Sequence, residues 1–125
     1  LSADPDAAWA ANNLAMLLAN HRTDDAEALE RALMLAQGFE DSEEPAFLDT
    51  LGWVYYRRGQ YERAAALLEQ AQAAGEPTAQ RQYHLGMTYL RLGRRADAEP
   101  LLMAAAAAEQ PFTGLDEARA VLESF

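Results

Sequence analysis

Cysteine is absent from this chain and so is lysine, while histidine occurs twice and serine three times in 125 residues. Without thiols, neither a disulfide nor a thiolate metal centre can form. His21 and His84 stand far apart, with no neighbouring cluster at metal-ligand spacing, so no metal is expected. Ser2, Ser42 and Ser124 do not occupy the strained strand–turn–helix elbow of a nucleophile. The seven glycines fall at helix contacts and helix ends, which leaves no phosphate-cradling loop. The adjacent acids Asp24-Asp25 and Glu43-Glu44 read as helix starts and not as a general acid/base pair. The chain is therefore expected to be no enzyme and to need no cofactor. No apolar run approaches the roughly 20 residues of a membrane span, so no membrane insertion is expected. A signal-peptide pattern is also missing.

What the chain does have is a 34-residue period. Leu51-Gly52 recurs as Leu85-Gly86, Tyr55 as Tyr89, Arg57 as Arg91 and Gly59 as Gly93. Ala64 returns as Ala98, Leu67-Leu68 as Leu101-Leu102, Ala71 as Ala105 and Pro77 as Pro111. A match ordered in this way means stacked copies of one unit, an architecture that favours binding over catalysis. The first copy is degenerate: Leu14-Ala15-x-x-Leu18 stands where the later copies have Leu-Gly-x-x-Tyr. Its second half, Ala28 to Ala36, is helical in pattern but slips in register, and the extra length is expected between Phe39 and Glu44.

Glycine inside a helix costs about 1 kcal/mol relative to alanine, so Gly52 and Gly86 need a packing reason, and a close helix crossing supplies one. Breaks fall where helix ends belong. Asp4-Pro5 and Ser42 before Pro45 read as caps followed by proline in the first turn. Gly59, Gly75 and Gly93 read as left-handed C-terminal caps. These signals predict helices over 5–20, 25–37, 44–58, 61–74, 78–92 and 95–109, with Pro100 near the first turns of the last. A seventh, over 114–124, follows Thr113.

The segments Leu48-x-x-Leu51-Gly52-x-x-Tyr55 with Ala64-x-x-x-Leu68, and Gln82-x-x-Leu85-Gly86-x-x-Tyr89 with Ala98-x-x-x-Leu102, resemble the tetratricopeptide-repeat (TPR) pattern. Leu48 and Gln82 replace its preferred Trp, and Leu68 and Leu102 its preferred Phe. The resemblance implies an all-α fold, a right-handed solenoid of about three helix-turn-helix repeats (5–38, 45–75, 78–110) with a C-terminal capping helix at 114–124, all in one domain, 1–125. It further looks like the C-terminal region of a longer bacterial TPR protein, of a kind linked to cell-envelope or exopolysaccharide systems. The compartment stays open between cytoplasm and, for an exported parent, periplasm or cell envelope.

In this family the first helix of each pair lines a concave groove. Side chains opposite the core positions then give Asn12, Asn13 and Met16 on the first helix, Asp49, Trp53 and Arg57 on the third, and Tyr83, Met87 and Arg91 on the fifth. Trp and Met supply apolar contact area, Asn bonds both donors and acceptors, and Arg matches carboxylates. The resemblance thus implies an adaptor or scaffold that binds a peptide or partner helix, with Arg57 and Arg91 reading acidic groups. A chaperone-tail clamp is not expected, because its Lys, Asn and Arg places hold Asn12, Met16, Thr50, Gln80 and His84. His84 is expected at the surface. The alternative reading is a stacking or oligomerisation segment, dimerising through an exposed end repeat.

Charge is uneven along the chain, which carries a net −10. Residues 1–44 hold ten Asp/Glu against Arg22 and Arg31, whereas residues 57–95 hold seven Arg against three Glu. An acidic protein of this kind is not expected to bind nucleic acid, since phosphate neutralisation needs a basic surface.

Overall fold

In the computed structural model, which describes residues 4–21 and 25–125, these signals become a stack of helix pairs. The helices are α1 (Pro5–His21), α2 (Ala26–Ala36), α3 (Pro45–Arg57), α4 (Tyr61–Ala74), α5 (Ala79–Arg91), α6 (Arg95–Ala106) and α7 (Leu115–Glu123), and no strand occurs among the described residues. Each odd helix packs on the even one that follows: α1 on α2, α3 on α4, α5 on α6. Odd helices also touch their odd neighbours, α1 with α3, α3 with α5 and α5 with α7. The result is an all-α solenoid with one layer built from α1, α3, α5 and α7 and a second from α2, α4 and α6.

The crossing within a pair depends on a missing side chain. A Cβ on Gly52 would stand 2.8 Å from Leu68 Cγ, and one on Gly86 would stand 2.9 Å from Leu102 Cγ. Those leucines replace the pattern's phenylalanine, yet they fill the crossing and are buried. Ala15, fully buried, occupies the corresponding place on α1.

The turns between paired helices repeat as well. Gly59 (φ 82°) and Gly93 (φ 78°) are left-handed. Gln60 N–H donates to the Tyr55 carbonyl and Arg94 N–H to that of Tyr89, both at 2.9 Å. Gly59 and Gly93 N–H close the inner bonds to Tyr56 and Leu90, which completes a Schellman cap at each site.

Three local expectations are corrected. Gly75 is extended (φ −155°), and a Cβ there would meet Pro45 Cγ at 2.6 Å, so close approach and not left-handedness explains the glycine. The cap of α3 is Glu44, whose carboxylate accepts from Ala46 N–H, while Ser42 Oγ accepts from Glu44 N–H one step earlier. Pro100 lies inside α6, in its second turn, near the helix start as the sequence places it. The second helix ends at Ala36, and the extra length is a 3₁₀ turn over Gln37–Asp41 that buries Phe39 against Phe47, ring centroids 4.4 Å apart.

Candidate functional site

The layer of odd helices carries a groove of about 820 Å³. Asn12, Asn13, Met16, Leu17 and Asn20 of α1 form one side, and Ala46, Asp49 and Thr50 at the start of α3 form the floor. The far side is Gln80 and Arg81 at the start of α5 with the connection from Ala108 to Thr113. A second cleft of about 450 Å³ lies between Arg57 and Tyr83 on one side and Gly114–Glu117 on the other.

Polar contacts lace the odd helices together at separations of 33–35 residues. Trp53 Nε1 donates to Asn20 Oδ1 at 2.9 Å, linking α3 to α1. His84 Nδ1 lies 2.9 and 3.1 Å from the two oxygens of Asp49, linking α5 to α3. Arg91 Nε donates to Tyr56 Oη at 3.3 Å across the same pair of helices. Tyr83 Oη donates to the Glu117 carboxylate, linking α5 to α7. One repeat's length, give or take a residue, separates every pair because the odd helices are parallel copies.

Aromatic packing strengthens the ladder. Trp53 is fully buried between Tyr56 (centroids 4.4 Å apart, planes 6° apart) and His84 (4.0 Å, 20°). The Arg57 guanidinium covers the indole at 4.7 Å. Burial first, and then the bond to Glu117, pushes the Tyr83 phenol far above its ordinary pKa. The hydrogen bond to Tyr56 raises Arg91 further.

This geometry sorts the residues expected at the groove. Asn12, Asn13, Met16 and Asp49 line the larger groove; Arg57 and Tyr83 line the smaller cleft. Trp53, Tyr83 and Met87 are buried, so Trp53 and Met87 support the groove from within and present no face to a ligand. Arg91 is exposed but lines neither cavity. His84 is not a surface histidine: it is 1 % exposed, stacked on Trp53 and bonded to Asp49. His21 ends α1, and its side chain lies outside the described residues.

The wall from Ala108 to Thr113 was not anticipated from the sequence. Phe112 packs on Tyr83 (centroids 5.9 Å), and Gly114 is left-handed at φ 110°. A Cβ at Gly114 would stand 2.3 Å from the Tyr83 ring. The signal was present in the 34-residue period, which places α7 where a fourth first helix would begin.

Among the described residues, no group of three or more His, Asp or Glu could hold a metal ion, and no helix is long and apolar enough to cross a membrane.

A solenoid of paired helices with glycine or alanine at each crossing and a groove along the first helices is the TPR arrangement. The family model described as anaphase-promoting complex, cyclosome, subunit 3, which is of TPR type, matches residues 19–105, and the chain belongs to this TPR-type family. A TPR repeat-containing protein of Pseudomonas aeruginosa is 38% identical over 71 residues, covering 57% of this chain and 12% of that protein. The chain thus spans about an eighth of that relative's length. No solved structure matches it at comparable stringency. Repeats of this type are protein–protein interaction modules, and their fold is typically non-catalytic.

Proposed function

We propose that this chain is an adaptor that holds a segment of a protein partner, as an extended peptide or a helix, in the groove between α1 and the starts of α3 and α5. The observation that carries the reading is the lining of that groove. Asn12, Asn13, Asn20, Gln80 and Gln110 bring five carboxamides to one concave surface, beside the apolar Met16 and Leu17. Carboxamides donate and accept, which suits a main chain that offers both, and the apolar side chains give area to bury. The buried ladder beneath fixes the spacing of the helices, so the groove is formed before a ligand arrives.

The test is affinity capture with the native chain beside Asn13→Arg/Met16→Glu/Gln80→Arg, with circular dichroism to show that both fold. A protein retained by the native chain and lost from the variant supports the groove. Equal recovery moves the binding surface elsewhere.

A second reading, self-association, rests on α1, where Trp9 (43 %) and Leu17 (53 %) are the large apolar side chains left most open. Sedimentation of the native chain beside Trp9→Ser/Leu17→Ser tests it. A native dimer that the variant abolishes supports a stacking role; monomers throughout contradict it.

A further inference from the structure

We infer that the groove selects a positively charged partner segment, an extended peptide bearing Lys or Arg, and not an acidic one; the inference rests on the groove reading above. Glu109 and Asp49 both line the groove, against Arg81 as the one cationic side chain there among the described residues. Arg81 is turned to the main chain, donating to the Glu76 carbonyl at 3.1 Å. Glu109 is exposed and has no hydrogen-bond or ion-pair partner among the described residues. The Asp49 carboxylate, 5 % exposed, pairs with His84 Nδ1 and has no other hydrogen-bond partner among the described residues, which leaves part of its acceptor capacity open. Beside it, Asn12 is 7 % exposed and its Oδ1 is buried without a partner. Meeting that acceptor takes a donor together with a shift of the Asn12 side chain that opens it, and Lys and Arg are donors only.

The other arginines of the described residues do not line this groove. Arg57 covers Trp53 and its Nε is buried without a hydrogen-bond partner, but the smaller cleft it lines already holds Asp116 and Glu117 from this same chain. Arg91 is tied to Tyr56, Arg63 lies over Tyr55 at 5.1 Å, and Arg94 lies over Tyr89 while pairing with Asp97. Helix N-termini at the groove carry partial positive charge, but in-chain acceptors already meet it. Thr78 Oγ1 accepts from Arg81 N–H, Glu44 accepts from Ala46 N–H, and Asp116 and Glu117 occupy the first turn of α7. The longer-range field has the same sign. Two of its walls come from the segment with ten acids against two arginines and from residues 96–125, which carry six Asp/Glu against Arg119 alone, and these outweigh the start of α5, which belongs to the arginine-rich segment 57–95. A cationic segment is drawn to such a concave surface and an anionic one is repelled.

A random dodecapeptide display library panned on the whole chain tests this. Two variants are panned in parallel: Asn12→Ala/Glu109→Arg in the groove, and Glu99→Arg on α6, which changes net charge by the same amount. Enriched peptides are expected to carry net positive charge. Their dissociation constants, read by fluorescence anisotropy, should weaken at least about tenfold on the groove variant and at most about twofold on Glu99→Arg. Acidic or neutral peptides that are lost only from the groove variant would overturn the charge class while leaving the groove in place. Basic peptides weakened equally by Glu99→Arg would reduce the effect to net charge and overturn the inference. Binding indifferent to both variants, or no enrichment, would overturn the groove reading along with it. Circular dichroism of each variant confirms that helicity is kept.

Discussion

Asp49 and His84, 35 residues apart in sequence, meet in the interior with His84 Nδ1 between the two carboxylate oxygens at 2.9 and 3.1 Å. The pair joins α3 to α5, and the imidazole stacks on Trp53. A hydrogen bond to a charged acceptor contributes about 1.5–3 kcal/mol, and a buried partner left alone adds a desolvation cost. Asp49→Ala should therefore lower unfolding free energy in urea by about 1.5–3 kcal/mol, with a change in Trp53 emission. A double-mutant cycle with His84→Ala should recover most of that as coupling. Independent effects would show that the pair does not hold the two repeats together.

Trp53 makes the clearest case for a core role. It is fully buried and its Nε1 donates to Asn20. Trp53→Ala should cost about 3–5 kcal/mol, measured by chemical unfolding, because it opens a cavity and orphans the Asn20 carbonyl. A change within about 0.5 kcal/mol would be the mark of a surface residue and would contradict the buried ladder.

The repeated glycines predict paired effects. Alanine at Gly52 or Gly86 gains helix propensity of about 1 kcal/mol, but its Cβ would lie within 2.9 Å of the facing leucine. Overpacking of this kind costs about 1–3 kcal/mol. Gly52→Ala and Gly86→Ala should each lower Tm, and Gly52→Ala/Leu68→Ala should lose less than the sum of its single changes. Stabilisation by either glycine replacement would show that the helices do not cross as closely as described.

Alkaline pH should unfold the chain through its buried phenols. Burial first, then the bond to Glu69, pushes Tyr89 from 10.0 up to about 12. Because the folded state holds this proton more tightly, its contribution is complete below about pH 10 and is lost as pH rises towards 12. Spectrophotometric titration at tyrosinate wavelengths should show a late-ionising class, and Tyr89→Phe should remove part of it. If every tyrosine ionised near its ordinary pKa, the hydrogen-bonded burial would be wrong.

The helix stack was legible because its signals are local or periodic. Gly52 and Gly86 mark the crossings, Gly59 and Gly93 mark the turns, and the 34-residue period pairs them. The site was harder to read. Taking the face opposite the core positions as solvent-facing works for a helix with one packed side. In a solenoid an inner helix has neighbours on both flanks, so Trp53 and Met87 on α3 and α5 are buried. Asp49 and His84 look like unrelated polar residues until parallel copies bring positions 35 apart together. Gly75 misled because left-handedness is only one reason for glycine, and here the reason is Pro45. The wall at Phe112 and Thr113 depends on how α7 folds back onto Tyr83, a contact between distant residues that no local pattern encodes.

A partner segment proposed to lie along the carboxamide-lined face of the odd helices must perturb the side chains that line it. The most direct measurement is a titration of the isotope-labelled chain with the strongest displayed dodecapeptide, following side-chain amide signals by NMR. Shifts concentrated on Asn12, Asn13, Asn20, Gln80 and Gln110, with α2, α4 and α6 unmoved, are the predicted result. Shifts confined to the even helices, with those five carboxamides unchanged, would contradict it.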